Sequence, residues 1–437
     1  MENIFSQRLR ARLLSPLEIL QIKDFRLLWM GEFFSLIGDQ FYWIALPWLI
    51  LKLTGNPLVL GSLMAIQMVP RSIFMLIGGA LTDRFSPRKV VFVSVIMRCV
   101  LVGTLAGLVL TGMFHLWILY LLALCFGIVD GFFFPAQNSI IPALLDEKKL
   151  QTGNALIQGT AQLSMFLGPL VAGLLIAWLN GPNRVIISGR TVEDLQGIGI
   201  AFGIDALGYF LAAIFISRIQ KDANQIGLEE GSKQEGVLRS IQTGLAYAWK
   251  NEDLRIFFLL VALMAFVVNG TLIVGVPVLV NIRFVGGAAA YGLIMSAFGG
   301  GSLIGILLAS SLPQPPSKLV GQILLLIVGA LGFGLIVLAF TTNAFIAALI
   351  SLITGIGGGY VLIMVITWLQ LRAPPTMLGR TMSLLTFATI GLNPIAVTLA
   401  GALSKWNVTG LLIGSGGLLV LIAFGSAFSG AGKFMET

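Results

Sequence analysis

The 437-residue chain is 57% hydrophobic and only 11% charged, with a mean hydropathy of +0.96; a soluble domain of this length needs more charge to cover its surface. Its net charge of +8 implies no nucleic acid partner, because the basic residues gather at the ends of apolar runs, where they orient a membrane protein. The two cysteines, Cys99 and Cys125, lie inside apolar runs, which excludes a disulfide framework, and no metal-ligand spacing or cofactor motif is visible.

Residues 1–24 mix charges and carry no short apolar core with a small-residue cleavage site, so they read as a cytoplasmic tail and not a signal peptide. Twelve apolar runs follow, at about 25–51, 58–81, 90–111, 116–138, 153–179, 198–217, 255–281, 291–311, 319–340, 344–370, 380–403 and 409–429. Runs of this kind are long enough to cross a ~30 Å hydrocarbon core as helices. With both ends placed in the cytoplasm, 20 of the 27 Lys and Arg fall on the cytoplasmic side. Five (Lys52, Arg184, Arg190, Arg283 and Lys405) fall outside, and Arg71 and Arg98 stay within the membrane. That asymmetry sets the expected orientation. His115 falls in a short loop and reads as an interfacial residue, and the outer loop 180–197 carries no functional signal. The longest polar interruption, 218–254, parts six spans from six, and its stretch 237–250 reads as an interfacial helix. The expected organisation is an all-α membrane protein of twelve transmembrane helices: tail 1–24, six-helix bundle 25–217, cytoplasmic linker 218–254, six-helix bundle 255–429 and tail 430–437.

The two halves repeat. Asp24-x-Arg26 opens the first and Asp253-x-Arg255 the second; Pro47 answers Pro277 and Gly61 answers Gly292, at an offset of about 230. Gly168-Pro169 in the fifth span stands opposite Asn393-Pro394 in the eleventh. Parallel six-helix repeats place a substrate site between the halves near the midplane.

The loop after the second span reads Gly79-Ala-Leu-Thr-Asp83-Arg84-Phe-Ser-Pro-Arg88-Lys89. It resembles the major facilitator signature G-x-x-x-D-R-x-G-R-[RK]-[RK], with Ser86 and Pro87 in a Gly and an Arg slot. The fifth span reads Ser164-Met-Phe-Leu-Gly168-Pro169-Leu-Val-Ala172-Gly173 and resembles the antiporter signature g-x-x-x-G-P-x-x-G-G, with Ser164 and Ala172 replacing two glycines. Asp24-Phe-Arg-Leu-Leu-Trp29, Ser35-Leu-Ile-Gly-Asp39, Ile204-Asp205-Ala-Leu and the run from Gly244 to Arg255 narrow the likeness. They resemble the drug:proton antiporter group of the major facilitator superfamily, which includes macrolide efflux proteins and the enterobactin exporter. The resemblance implies two bundles working by alternating access. It also implies a gate at Gly79, Asp83, Arg84 and Arg88, in which Asp83 meets the positive N-terminal end of the eleventh helix and latches the cytoplasmic side. The matching loop of the second half, Gly305 to Lys318, lacks the acid, so the latch is one-sided. Gly168 and Pro169 join this gating set, as a close-packing and bending element; the rival reading is ordinary packing in a glycine-rich membrane protein.

Six ionisable residues lie well inside the spans: Glu32, Asp39, Arg71, Arg98, Asp130 and Asp205. Each costs at least ~2.5 kcal/mol at a helix centre, so each needs a partner, water or a neutral state. All six belong to the first half, and no Asp or Glu occurs from Leu254 to Met435. Glu32 and Asp39 are two turns apart on one face, with Ser35 between them, and the resemblance places that face on the pathway. The expectation is that Asp39 or Glu32 carries a proton while Asp130 and Arg98, which can pair across the hairpin of the third and fourth spans, tune it. Asp205 reads as structural, and Arg71 has no assigned partner. Phe41, Tyr42, Trp43, Phe132 to Phe134, Met64, Met68, Tyr360 and Trp368 could line an adaptable pocket, although most such residues serve packing or face lipid.

The expected function is proton-coupled export of a small amphipathic, drug-like organic compound, with small-molecule substrate, protons and lipid bilayer as the partners. The protein is expected to be a monomer in the cell inner membrane, with no cofactor and no nucleic acid. Siderophore or metabolite export, or lysolipid transport, on the same fold are the nearest alternatives. A membrane enzyme is disfavoured because no nucleophile–base pair or phosphate loop is visible, and a non-transporting sensor would show a filled centre.

Overall fold

The computed structural model describes residues 18–82, 86–113, 115–179, 184–187, 190–193, 195–220, 246, 249–312, 315–374 and 377–428. Each apolar run becomes a helix, because only a helix satisfies every backbone N–H and C=O internally where water is absent. The first half forms α1 (Lys23–Thr54), α2 (Pro57–Thr82), α3 (Pro87–Thr111), α4 (Leu116–Leu144), α5 (Glu147–Leu179) and α6 (Gln196–Ser217). The second half opens with α7 (Glu252–Gly270), which continues through a π-helical turn (Thr271–Gly275) into α8 (Val276–Arg283). It goes on with α9 (Gly287–Ser311), α10 (Ser317–Phe340) and α11 (Ala344–Arg372). The last two crossings come from α12 (Leu378–Thr386), a π-helical turn (Phe387–Gly391) and α13 (Asn393–Phe428).

Among the described residues, eleven helical stretches are long and apolar enough to span a bilayer. The last of them, Arg380–Gly425, is 46 residues long, and Asn407 (φ −158°, ψ 100°) breaks its helical path. At about 20 residues per crossing that stretch supplies two spans, giving twelve.

Local chemistry sets the helix ends. Gly55 (φ 60°) and Gly112 (φ 69°) take the left-handed conformation that stops α1 and α3. Pro57 and Pro87 open α2 and α3, where a missing N–H costs nothing. The Asn343 side chain accepts from the N–H groups of Phe345 (2.9 Å) and Ile346 (3.3 Å) and so starts α11. The expected spans match these helices closely, except that α4 and α5 run six residues beyond them, through Ser139–Leu144 and Glu147–Thr152. At the start of α5, Glu147-Lys-Lys-Leu-Gln-Thr152 is helical without being apolar. The 180–197 loop differs from expectation: Arg184–Ile187 (β1) and Arg190–Glu193 (β2) pair antiparallel, with Val185 opposite Val192. The interfacial helix expected over 237–250 lies almost wholly outside the described residues.

Each half packs in the same way. In the first, α1 lies against α5 and α6, α2 against α4, and α3 against α4 and α6. In the second, α7 lies against α13, α9 against α11, and α10 against α11 and α13. The faces turned away from both bundles are apolar and exposed, as at Val93, Met97 and Val100 on α3, Leu326 and Phe333 on α10, and Leu421 on α13. A surface of that kind is stable only against lipid.

Two seams join the halves: α5 against α9, and α2 against α13. Their backbones nearly touch. A Cβ on Gly292 would collide with the Pro169 carbonyl, one on Gly173 with the Ala288 carbonyl 2.5 Å away, and one on Gly61 with the Val397 carbonyl. The Ser296 hydroxyl donates to the Phe166 carbonyl across the first seam. These contacts run from mid-helix toward the end that carries the β-hairpin, here the hairpin end; the end carrying residues 218–252 is the linker end.

Candidate functional site

α1 and α4 run antiparallel, and each carries polar side chains two turns apart: Glu32 and Asp39 on α1, Asp130 and Gln137 on α4. Equal spacing on opposed helices aligns the two pairs. The Gln137 amide donates to Glu32, and Asp130 comes to the level of Asp39. There the Arg98 guanidinium of α3 donates to Asp130, while Arg71 of α2 approaches the other Asp130 oxygen at 3.7 Å. The Tyr209 hydroxyl of α6 donates to Asp39. Five helices thus contribute to one polar cluster inside the first bundle.

Apolar rings enclose the charges. Arg98 lies 3.8 Å over the Phe133 ring and 5.6 Å over that of Tyr209, and Arg71 lies 4.2 Å over Phe134. An aromatic face attracts a cation that has lost its water. Tyr42 donates to Gln67 (3.2 Å) and stacks on Phe126 (4.9 Å). Glu32, Arg98, Asp130 and Asp205 are buried. Asp39 and Arg71 are partly exposed, so the cluster reaches accessible space at those two side chains.

The second bundle holds neutral groups in the same place. The Asn269 amide of α7 donates to the Asn393 side chain (2.9 Å) and to the Thr389 carbonyl (3.2 Å) within the second π turn. The Thr271 hydroxyl, at the start of the first π turn, donates to Ser415 (2.9 Å). An apolar groove of about 370 Å³ runs along α7 and α13 past Gly270, Ala400 and Trp406; it lies away from the charged cluster.

Glu32, Asp39, Arg98 and Asp130 therefore come together in one place. Arg71, unassigned from sequence, joins them through Asp130 and Phe134. Gln137 and Tyr209 were missed; the available signals were their spacings, seven residues after Asp130 and four after Asp205. Gly168 packs against the Gln40 side chain, and Pro169 lies on the seam with α9. In the loop motif, Arg88 donates to the Ser217 carbonyl (2.7 Å) and ties α3 to the end of α6. Gly79 lies within α2, whereas Asp83 and Arg84 fall outside the described residues. Of the aromatic and methionine residues, Phe41, Tyr42, Met64, Phe133 and Trp368 are buried in packing, Trp368 stacked on Phe257 at 4.4 Å.

Twelve membrane-crossing helices in two repeated bundles, with a polar centre enclosed by apolar walls, define a multi-pass membrane transporter. The sequence profile of the Major Facilitator Superfamily matches residues 28–392, and the chain belongs to that family; it is a transporter, not an enzyme. The chain is 25% identical over 293 residues to macrolide efflux protein A of Streptococcus pyogenes, covering 63% of this chain and 66%, slightly under two thirds, of that protein. It is 23% identical over 375 residues to the multidrug efflux pump Tap of Mycolicibacterium fortuitum, covering 84% and 86%. The crystal structure of the nucleoside transporter NupG superposes with a TM-score of 0.69 at 14% identity, over 93% of this chain and 98% of that one; the likeness is one of fold.

Proposed function

We propose that the protein exports a small amphipathic, drug-like compound in exchange for protons, by alternating access. The observation that carries this reading is the confinement of mid-span charges, and of every membrane-embedded acid, to one bundle, in a cluster that reaches accessible space at Asp39 and Arg71. A carboxylate beside the pathway, held by the Tyr209 hydroxyl and near a guanidinium, can exchange a proton when the exposed side changes. The neutral amide and hydroxyl groups opposite, with flexible apolar walls, suit an amphipathic substrate more than a strongly hydrated one. Efflux activity in the two named relatives supports the direction.

In this reading the linker end is cytoplasmic and the membrane is the inner membrane, since the Lys and Arg excess lies at that end. The seams at Gly61, Gly173 and Gly292 then hold the outer side closed. Arg88 anchors the loop that carries Asp83, which would latch the inner side when the bundles rock; Gly168 and Pro169 serve as the close-packing and bending element of α5, on the outer seam.

The test is efflux of a cationic amphipathic dye from proteoliposomes under an imposed pH gradient. Asp39→Asn should abolish gradient-driven movement while leaving dye binding, and Glu32→Gln should weaken it. Unchanged gradient-driven efflux in both variants would refute the carrier assignment.

A further inference from the structure

Asp205 on α6 is fully buried, and both of its carboxylate oxygens lack a hydrogen-bond partner. Its surroundings are tightly built. A Cβ at Gly38 would lie 2.6 Å from Asp205 Oδ1, so any larger residue there on α1 would have to displace that carboxyl. A Cβ at Gly208 would lie 2.7 Å from the Phe34 carbonyl, which presses α6 onto α1. On the other side the Cys99 thiol of α3 donates to the Ala206 carbonyl at 3.3 Å.

The groups facing Asp205 are otherwise engaged. From α1 come Asp39, next in sequence to Gly38, and Tyr42, bonded to Gln67. From α3 and α4 come Arg98 and Asp130, bonded to each other. From α6 itself comes Tyr209, one turn on, whose hydroxyl is given to Asp39. No hydrogen bond reaches either Asp205 oxygen, although the Nε–H of Arg98 is likewise without an acceptor. A carboxylate enclosed in protein without a donor or a paired cation does not stay ionised; it neutralises by holding a proton. Asp39, by contrast, has a donor and partial access.

We propose that Asp205 is a protonated carboxylic acid in this state and that it exchanges its proton with Asp39, making a second proton-holding residue behind the first. The step is a transfer between carboxyl groups: the O–H bond on Asp205 breaks as one forms on the Asp39 carboxylate, and the reverse step restores it. Asp39 is partly exposed and Asp205 is not, so Asp205 exchanges with solvent only through Asp39. The inference deepens the proton-coupling reading and rests on it for its role in transport.

Infrared spectroscopy of the purified, reconstituted full chain tests this without any transported compound. Wild type at neutral pH should show a protonated-carboxyl C=O band that Asp205→Asn removes and Asp39→Asn retains. On transfer to heavy water that band should shift, and Asp39→Asn should slow the shift by about tenfold or more, one decade in rate being ~1.4 kcal/mol of barrier. If Asp205→Asn does not fold, Gly38→Ala places a methyl against Oδ1 and should move the band. Absence of any such band, a band indifferent to both substitutions, or an exchange rate unchanged in Asp39→Asn would overturn the proposal. If the band and its slowed exchange are found while proteoliposomes show no proton-driven efflux, the transport reading fails and the Asp205–Asp39 exchange stands.

Discussion

The two bundles share their helix pairings and differ in what fills their centres. Asp39 and Asn269 occupy matching positions at the repeat offset of about 230, each at or beside a contact with the fifth helix of its own half, near Gly168-Pro169 and Asn393-Pro394. In the first bundle, Gln40 beside Asp39 meets Gly168; in the second, Asn269 meets Asn393. Around Asp39 stand Tyr209, Arg98, Asp130 and Arg71; Asn269 bonds to an amide and a backbone carbonyl. Charges in a medium of low dielectric hold only with fixed partners, so the first bundle is a preformed electrostatic unit. Uncharged groups impose no such demand. The described π turns, Thr271–Gly275 and Phe387–Gly391, both lie in the second bundle, and Asn269 accepts the task of bonding a carbonyl that one of them frees. Such turns mark places where a helix can change register or bend. One half thus has the construction of a chemical site and the other that of an adaptable wall.

The largest expected effect comes from breaking the charge pair. Arg98→Ala leaves Asp130 buried with only the 3.7 Å contact to Arg71. Stripping one partner from a buried pair costs about 3–5 kcal/mol, read as a lower Tm of the purified protein in detergent. The double change Arg98→Leu with Asp130→Leu should cost less than the two single changes together. Single variants as stable as wild type would mean that water already screens the pair, and the contrast between bundles would lose its physical basis.

Next in size is the seam between the halves. Gly292→Ala drives a methyl into the Pro169 carbonyl, an overpacking expected to cost about 1–3 kcal/mol. The cost falls on the state with a closed hairpin end, so the opposite state should gain population. A cysteine placed at Trp48, which touches Gly287 at that end, should react faster with a water-soluble thiol reagent. Unchanged labelling would show that this seam does not set the equilibrium.

Much of this was legible in the sequence. Helix existence follows from run length alone, because lipid permits few alternatives. The Arg98–Asp130 pair follows from two charges at equal depth on a hairpin. Tyr209 and Gln137 were hidden because a polar residue in an apolar run is read one helix at a time, whereas their partners sit on other helices. Arg71 was hidden for the same reason: Asp130 is reached only once α2 packs on α4. The β-hairpin at 184–193 escaped because four-residue strands carry too short an alternation to stand out from a loop.

The smallest expected effect sharpens the comparison from its neutral side. Asn269→Ala removes two hydrogen bonds, to Asn393 and to Thr389. Interhelical hydrogen bonds in membrane proteins average only ~0.6 kcal/mol and reach at most ~1.7, because groups released in lipid find other partners. Here Asn393 can turn to the freed Thr389 carbonyl, since both lie on the same stretch of chain. The loss of Tm should therefore be a fraction of that for Arg98→Ala, although Asn269 makes two hydrogen bonds and Arg98 one. The difference isolates charge from hydrogen-bond number as the source of rigidity. If Asn269→Ala proves as damaging as Arg98→Ala, the second bundle is held by a polar centre as demanding as the first, and its π turns must be kept by packing of α7 on α13 instead of by the freedom of an uncharged site.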